Sequence, residues 1–268
     1  MRKILFTLAV LAGLSIADAF AQEREVAIVA HRGFWNCGAA GAKNSIASLE
    51  QAQKNDFWGT EFDVNMTKDG VLLVFHDRKI NGRYIEKTRS KDLEYYRLSN
   101  GESIPTIDEY LEQALKSPET MLVYELKSHT TRKVETKAVK ASIKKLKEFG
   151  LFDPQRVMFI AFSRHVCNEF ARLAPGFTIQ YLEKDANPDD LVKSGINGID
   201  IRYAVLKHNR KMIERARANG MSINTWTVNK EEDIRKMSEL GVDQITTDDP
   251  LLVRQVLHQM GVKEKKAR

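Results

Sequence analysis

Residues 26–33 read VAIVAHRG, an apolar run that stops on a histidine, an arginine and a glycine. Residues 45–55, SIASLEQAQKN, follow with apolar side chains at helical spacing, and residues 59–64, GTEFDV, return to a short strand-like run. A strand, a helix and a second strand in that order make a βαβ unit, whose two strands run parallel and leave the helix on one face of the sheet.

The same alternation continues outward along nearly the whole chain. Strand-like runs fall at Val26–Ala30, Gly59–Val64, Met121–Leu126, Val157–Ala161, Thr178–Tyr181, Gly198–Ile201, Ser222–Thr227 and Gln244–Thr247. Helical stretches follow at Ser45–Asn55, Ile107–Lys116, Thr131–Phe149, His165–Ala174, Pro188–Lys193, Asn209–Asn219, Lys230–Leu240 and Leu251–Met260. Gly150 and Gly220 sit where helices end, and Pro250 sits in the first turn of the last helix. Eight such units in a chain of 268 residues that is 43% hydrophobic and 29% charged predict a single α/β domain, a closed (β/α)8 TIM barrel. An open doubly wound sheet would carry a glycine-rich phosphate turn after its first strand, and Gly33-Phe34-Trp35 is not one. The Asp-Gly step in Lys68-Asp69-Gly70 marks a tight turn before a hairpin-like piece, Val71–His76, and the irregular residues 77–104 read as a short insertion after the second strand region.

Arg2 and Lys3 precede an apolar run from Ile4 to Ile16 and then Ala19-Phe20-Ala21, the pattern of a signal peptide over residues 1–21. The expectation is an exported chain, periplasmic or secreted, with a barrel domain over 22–262, no transmembrane segment in the mature chain and a basic tail over 263–268, read as a solvated, frayed end. The net charge of +6 does not mark a nucleic-acid binder, because residues 22–262 hold only +2 of it. Cys37 and Cys167 lack metal-site spacing, and export would allow them to pair. The sequence leaves their pairing and the oligomeric state open.

In a (β/α)8 barrel, functional side chains project from the carboxyl ends of the strands. Here those ends carry His31-Arg32, Glu61-Phe62-Asp63, His76-Asp77 and Glu125-Leu126-Lys127. The two-residue period of a strand puts Glu61 with Asp63, and Glu125 with Lys127, on one face. Glu61, Asp63 and Glu125 converging at the mouth call for a cation, and hard carboxylate oxygens select Ca2+ or Mg2+ over zinc or copper. His31 and His76 supply imidazoles for proton transfer, and Arg32 and Lys127 suit phosphate oxygens. The combination describes metal-assisted phosphoryl chemistry on a small molecule.

The ordered set Ala30-His31-Arg32-Gly33, Asn44-Ser45, Glu61-Phe62-Asp63-Val64, Thr67-Lys68-Asp69-Gly70, His76-Asp77, Ile104-Pro105-Thr106, Glu125-Leu126-Lys127, Trp226-Thr227-Val228-Asn229 and Thr247-Asp248-Asp249-Pro250 resembles the glycerophosphodiester phosphodiesterase family from residue 27 to about 250. The resemblance implies hydrolysis of glycerophosphodiesters to sn-glycerol 3-phosphate and an alcohol. It implies that His31 and His76 are the acid/base pair, that Glu61, Asp63 and Glu125 are the ligands of the divalent cation, and that Arg32 and Lys127 contact phosphate while Trp226 walls the pocket. Attack by a neighbouring hydroxyl, giving a cyclic phosphate first, or by water both fit these residues. Related barrels with this site act on lysophospholipids or phosphoinositides, a second reading. A third, a non-catalytic barrel that binds phosphodiesters, is prompted by Lys43, which stands where the family commonly has glutamate. The preceding loop, Phe34 to Gly41, resembles a longer variant seen among exported bacterial members.

Overall fold

The structure, a computed structural model, describes residues 25–38 and 41–267. The segment read as a signal peptide lies outside the described residues. In chain order the elements begin with β1 (Glu25–Ala30), α1 (Ile46–Lys54), β2 (Gly59–Met66), β3 (Leu72–Val74), β4 (Lys79–Ile80), β5 (Arg83–Tyr84) and α2 (Ile107–Ala114). The middle of the chain forms β6 (Met121–Leu126), α3 (Arg132–Glu148), β7 (Val157–Ala161), α4 (Arg164–Leu173), β8 (Ile179–Tyr181) and α5 (Pro188–Lys193). The remainder forms β9 (Gly198–Arg202), α6 (Tyr203–Leu206), α7 (Arg210–Ala218), β10 (Ser222–Trp226), α8 (Glu231–Leu240), β11 (Gln244–Thr247), α9 (Pro250–Gln259) and β12 (Lys263–Lys265).

Strands β1, β2, β6, β7, β8, β9, β10 and β11 pair in parallel in that order, and β11 returns to β1, so the sheet closes as a (β/α)8 barrel. The eight strands are those expected from the apolar runs. Most of the buried apolar side chains lie between sheet and helices, Phe62, Tyr110, Tyr124 and Phe159 among them. A separate apolar plug of Ala27, Val29, Trp58, Val123, Met158, Ile160 and Leu182 fills the barrel interior. The helices begin where capping chemistry allows: Ser45 accepts from Ser48 N at α1, Thr106 and Glu109 form a capping box at α2, and Asp249 caps α9 ahead of Pro250.

Two features differ from the sequence reading. The basic tail is not frayed over its first residues. Lys263–Lys265 form β12, which lies parallel to β1 through Glu25↔Lys263 and Ala27↔Lys265. The cause is a gap in the barrel base. β2 first meets β1 at Val29↔Gly59, which leaves the lower edge of β1 without a partner, and β12 fills it, with Arg254 holding Glu264 at 2.8 Å. The second feature is α6, a single helical turn after β9, too short for periodicity to reveal.

β3 matters most for position. It pairs antiparallel with the end of β2 through Val64↔Val74 and Met66↔Leu72, and Phe75 N donates to Asp63 O at 2.9 Å. The chain is thereby folded back so that His76 returns to the barrel mouth beside β2. The insertion beyond it packs on its own small core of Leu73, Ile80, Ile85, Leu93 and Ile104.

Candidate active site

Strand register gathers the carboxylates. β2 and β6 pair with Asp63 opposite Glu125, so two inward side chains stand side by side, and Glu61 lies two residues back on the same face. Ligand oxygens of Glu61, Asp63 and Glu125 all lie within 4.8 Å of one another, and the three residues are 2%, 1% and 6% exposed. Such a cluster is costly without compensation. Lys127 supplies part of it, its Nζ lying 2.6 Å from Glu125 Oε1 and 3.1 Å from Asp63 Oδ1, and Arg32 Nε lies 3.4 Å from Asp63 Oδ2. Glu61 is satisfied on one side only: Oε2 accepts from Arg32 N at 2.9 Å, while Oε1 is buried without a hydrogen-bond partner. An unpaired buried carboxylate oxygen within a three-carboxylate cluster fits a divalent cation of the Ca2+ or Mg2+ type, which takes oxygen ligands.

The charges divide sharply. Burial, then Asp63 and Glu125, push Glu61 well above the usual carboxylate range. Burial raises Glu125 to about 7 against the pull of Lys127. Burial also works to raise Asp63, but Lys127, His76 and Arg32 outweigh it and hold Asp63 well below its ordinary value. Asn44 adds to this by donating Nδ2 to Asp63 Oδ2 at 2.8 Å and accepting from Asp63 N at 3.1 Å. Asn44 takes a left-handed backbone, φ 62°, as do Arg32 at 58° and Gly33 at 79°. At Gly33 a side chain is excluded, since a Cβ there would lie 2.3 Å from Ser48 Oγ, which explains the glycine in His31-Arg32-Gly33.

Each histidine is oriented by a carboxylate. His31 Nδ1 lies 2.8 Å from Asp248 Oδ1, and His76 Nδ1 lies 2.7 Å from Asp77 Oδ1. Asp248 also accepts from Trp35 Nε1 at 3.1 Å and from Asn229 Nδ2 at 2.7 Å. Although burial works against it, the bonds from His31, Asn229 and Trp35 lower Asp248 to about 2, so it stays ionised at neutral pH. Burial lowers His76, with Lys127 and Arg32 acting in the same direction. His31, Arg32, Glu61, His76, Glu125 and Lys127 line a cavity of about 90 Å³ at the strand ends together with Trp226, which is in edge contact with Phe162. All eight residues proposed from sequence therefore gather in one place, with Asp63 bonded beneath the cavity-lining Lys127.

Asp248, Asn44 and Asp200 were assigned no role from sequence. Asp248 could have been found from barrel closure, because Ala30 pairs with Thr247 and the residues that follow, His31 and Asp248, must then be neighbours. Lys43 sits with Nζ 4.5 Å from the centre of the Trp35 ring and leaves the Asn44–Asp63 bonds in place, so this departure does not disturb the carboxylates. Cys37 and Cys167 are free thiols, and burial raises Cys167 to about 12. No helix among the described residues is long and apolar enough to cross a membrane.

A closed (β/α)8 barrel whose mouth combines buried carboxylates, carboxylate-held imidazoles and two cations defines a phosphoric diester hydrolase. The chain belongs to the glycerophosphoryl diester phosphodiesterase family, whose sequence model matches residues 31–252. It is similar to a glycerophosphodiester phosphodiesterase of Parabacteroides distasonis of known crystal structure, with 36% identity, a TM-score of 0.86 and coverage of 89% of this chain and 99% of that one. A glycerophosphodiester phosphodiesterase of Bacillus altitudinis is 29% identical over 239 residues, 83% of this chain and 94% of its own. A phosphodiesterase of Oleispira antarctica, solved with the product sn-glycerol-3-phosphate, shares the fold at 24% identity and a TM-score of 0.75, covering 87% of this chain and 96% of that one.

Two expected results follow from this geometry. Asp248→Asn keeps the shape but removes the charge that orients His31, and should lower kcat by about 10²-fold with little change in KM; steady-state kinetics check it, and an unchanged kcat would leave the His31–Asp248 contact without a part in turnover. The second concerns pH. A carboxylate raised in the folded state holds its proton more tightly there than in the unfolded chain. The stability it contributes is full below its ordinary value of 4.5 and is lost as pH rises through about 7 for Glu125. His76 and His129, lowered first by burial, work in the opposite sense, losing stability as pH falls below 6.5. The two are separated by comparing wild type with Glu125→Gln in chelator: the melting-temperature advantage of the variant should widen from about pH 5 to about pH 8. A constant difference would contradict the raised carboxyl.

Proposed function

We propose that this chain hydrolyses glycerophosphodiesters to sn-glycerol 3-phosphate and an alcohol, with a divalent cation, Ca2+ or Mg2+, held by Glu61, Asp63 and Glu125 and with His31 and His76 as the acid/base pair. The observation that carries the reading is the buried carboxylate triad with its unpaired Glu61 Oε1, two members of which, Glu61 and Glu125, line one cavity with both imidazoles while Asp63 lies beneath Lys127. Bound there, the cation would polarise the phosphoryl group and offset its charge.

The residues of the chain do the rest. Arg32 and Lys127 place positive charge where phosphate oxygens enter, and both are anchored on Asp63, so they are held in position before substrate arrives. Asp248 and Asp77 engage the Nδ1 atoms, which leaves Nε2 of His31 and of His76 as the nitrogen free to carry a proton. One imidazole takes the proton of the attacking hydroxyl and the other gives a proton to the departing alkoxide. The cavity, about 90 Å³ and backed by Ile160, Leu182, Phe162 and Trp226, favours a deacylated three-carbon unit over an acyl-bearing lipid. The phosphodiesterase of Oleispira antarctica, which has this fold and was solved with the product sn-glycerol-3-phosphate, agrees with that choice.

The test is a turnover panel of glycerophosphocholine, glycerophosphoethanolamine and a lysophospholipid, each with Ca2+, Mg2+ or excess chelator. Release of glycerol 3-phosphate from the deacylated diesters that stops in chelator is expected; full activity in chelator, or preference for the acylated substrate, would overturn the reading. We propose in addition that residues 1–21 direct export. Amino-terminal sequencing of protein from the extracytoplasmic fraction should begin at Gln22, and retention of Met1 on protein found only inside the cell would contradict export.

A further inference from the structure

The cavity is lined by two kinds of side chain. One set is charged or titratable: His31, Arg32, Glu61, His76, Glu125 and Lys127. The other is Ile160, Phe162, Leu182 and Trp226, with Asp200 and Thr246 as its only polar side chains apart from the Trp226 indole N–H, and the two sets meet where Lys127 Nζ lies 5.8 Å from the centre of the Phe162 ring. Two of those three polar groups are already committed: Thr246 Oγ1 exchanges hydrogen bonds with Asn224 at 3.0 and 3.2 Å, and Trp226 Nε1 donates to the backbone oxygen of Asp200 at 3.2 Å. Asp200 is different. It lies in the interior of the barrel on β9, is 1% exposed, and its Oδ1 is buried with no hydrogen-bond partner.

A buried carboxyl oxygen left unpaired is costly, so the retention of Asp200 among the apolar lining residues asks for a partner that arrives with the substrate. A hydroxyl is complementary whatever the state of the carboxyl: it donates to a carboxylate and accepts from a carboxylic acid. A phosphate oxygen only accepts, and its charge belongs with Arg32 and Lys127. The part of a glycerophosphodiester that goes to the closed inner end of the cavity must be the invariant glycerol unit, since the variable alcohol needs an exit to solvent.

We infer that Asp200 is the specificity-determining residue for glycerol, its carboxyl hydrogen-bonding a free hydroxyl of the glycerol unit while the phosphate lies against Arg32 and Lys127. The inference rests on the reaction proposed above. It implies that glycerol is distinguished from a plain alkyl group by one interior side chain, with the apolar wall accepting the carbon backbone of either. Sites built to bond a hydroxyl reject the analogue that lacks it far more strongly than apolar pockets reject a change of size.

The experiment measures binding of sn-glycerol 3-phosphate and of n-propyl phosphate, which has the same carbon chain and phosphate but neither hydroxyl, to the metal-loaded wild type, Asp200→Ala and Asp200→Asn by calorimetry. Wild type should prefer glycerol 3-phosphate, Asp200→Ala should lose about 10-fold or more of that preference by weakening glycerol 3-phosphate alone, and Asp200→Asn, which keeps a donor and an acceptor, should retain most of it. The melting temperature of Asp200→Ala in chelator should not fall, because the substitution removes an unpaired buried polar group and leaves the backbone bond to Trp226. Equal weakening of both ligands, or a wild type without preference, would overturn the assignment, and Asp200→Asn decides if the alanine variant does not fold. A wild type that shows the preference but hydrolyses no glycerophosphodiester would refute the proposed reaction and leave the hydroxyl assignment standing.

Discussion

His31→Ala should lower kcat on glycerophosphocholine by about 10³-fold while moving KM by no more than about 3-fold. The imidazole is held by Asp248 through Nδ1 and lines the cavity beside Glu61, so its removal takes away a proton carrier without touching Lys127 or the apolar wall. His76→Ala should give a loss of similar size. Repeating both with a p-nitrophenyl diester separates the roles, because a leaving group that departs as a stable anion needs no proton: the deficit should shrink for the histidine that acts as acid and persist for the one that acts as base. A loss in both variants that appears in KM alone would mean that the imidazoles bind substrate and transfer no proton.

The second large effect has two signs in one variant. Glu61→Gln should abolish turnover, by about 10³-fold or more, and should raise the melting temperature of the metal-free protein. Glutamine preserves the shape and can still accept from Arg32 N, but it removes one of three carboxylates packed within 4.8 Å. A carboxyl that folding pushes well above its ordinary range costs stability at neutral pH that a glutamine does not, which should appear as a shift of about a few degrees for a domain of this size. Ca2+ or Mg2+ should raise the melting temperature of wild type, because an ion that binds only the folded state stabilises it by mass action, and should do so far less in the variant. Wild type unaffected by either ion would contradict a metal centre; a Glu61→Gln protein that melts lower in chelator would mean that the glutamate is a structural element.

The fold was legible because a parallel barrel buries both faces of every strand, so each strand shows as an apolar run whatever its neighbours are, and each helix carries its own periodicity and caps. The polar residues that close those runs marked His31, Glu61, Asp63 and Glu125 in the same way. Contacts between distant strand ends were less accessible. Asp248 orients His31 only because the last strand lies against the first, a fact of closure that no local pattern carries. Asp200 was hidden for a related reason: it lies within the run Gly198–Ile201, where one acid between two isoleucines cannot be assigned to the cavity until strand direction and register are fixed. β12 was missed because charged residues at a chain end carry no strand signal. Lys263–Lys265 pair there because β1 offers an open edge.

The most direct measurement is a crystal structure of the chain from Gln22 onward, grown with Ca2+ and sn-glycerol 3-phosphate, with the ion placed by its anomalous scattering. One ion should be bound by oxygens of Glu61, Asp63 and Glu125, with the phosphate between His31 and His76. An ion bound away from those carboxylates, or a phosphate beyond the reach of both imidazoles, would contradict this reading.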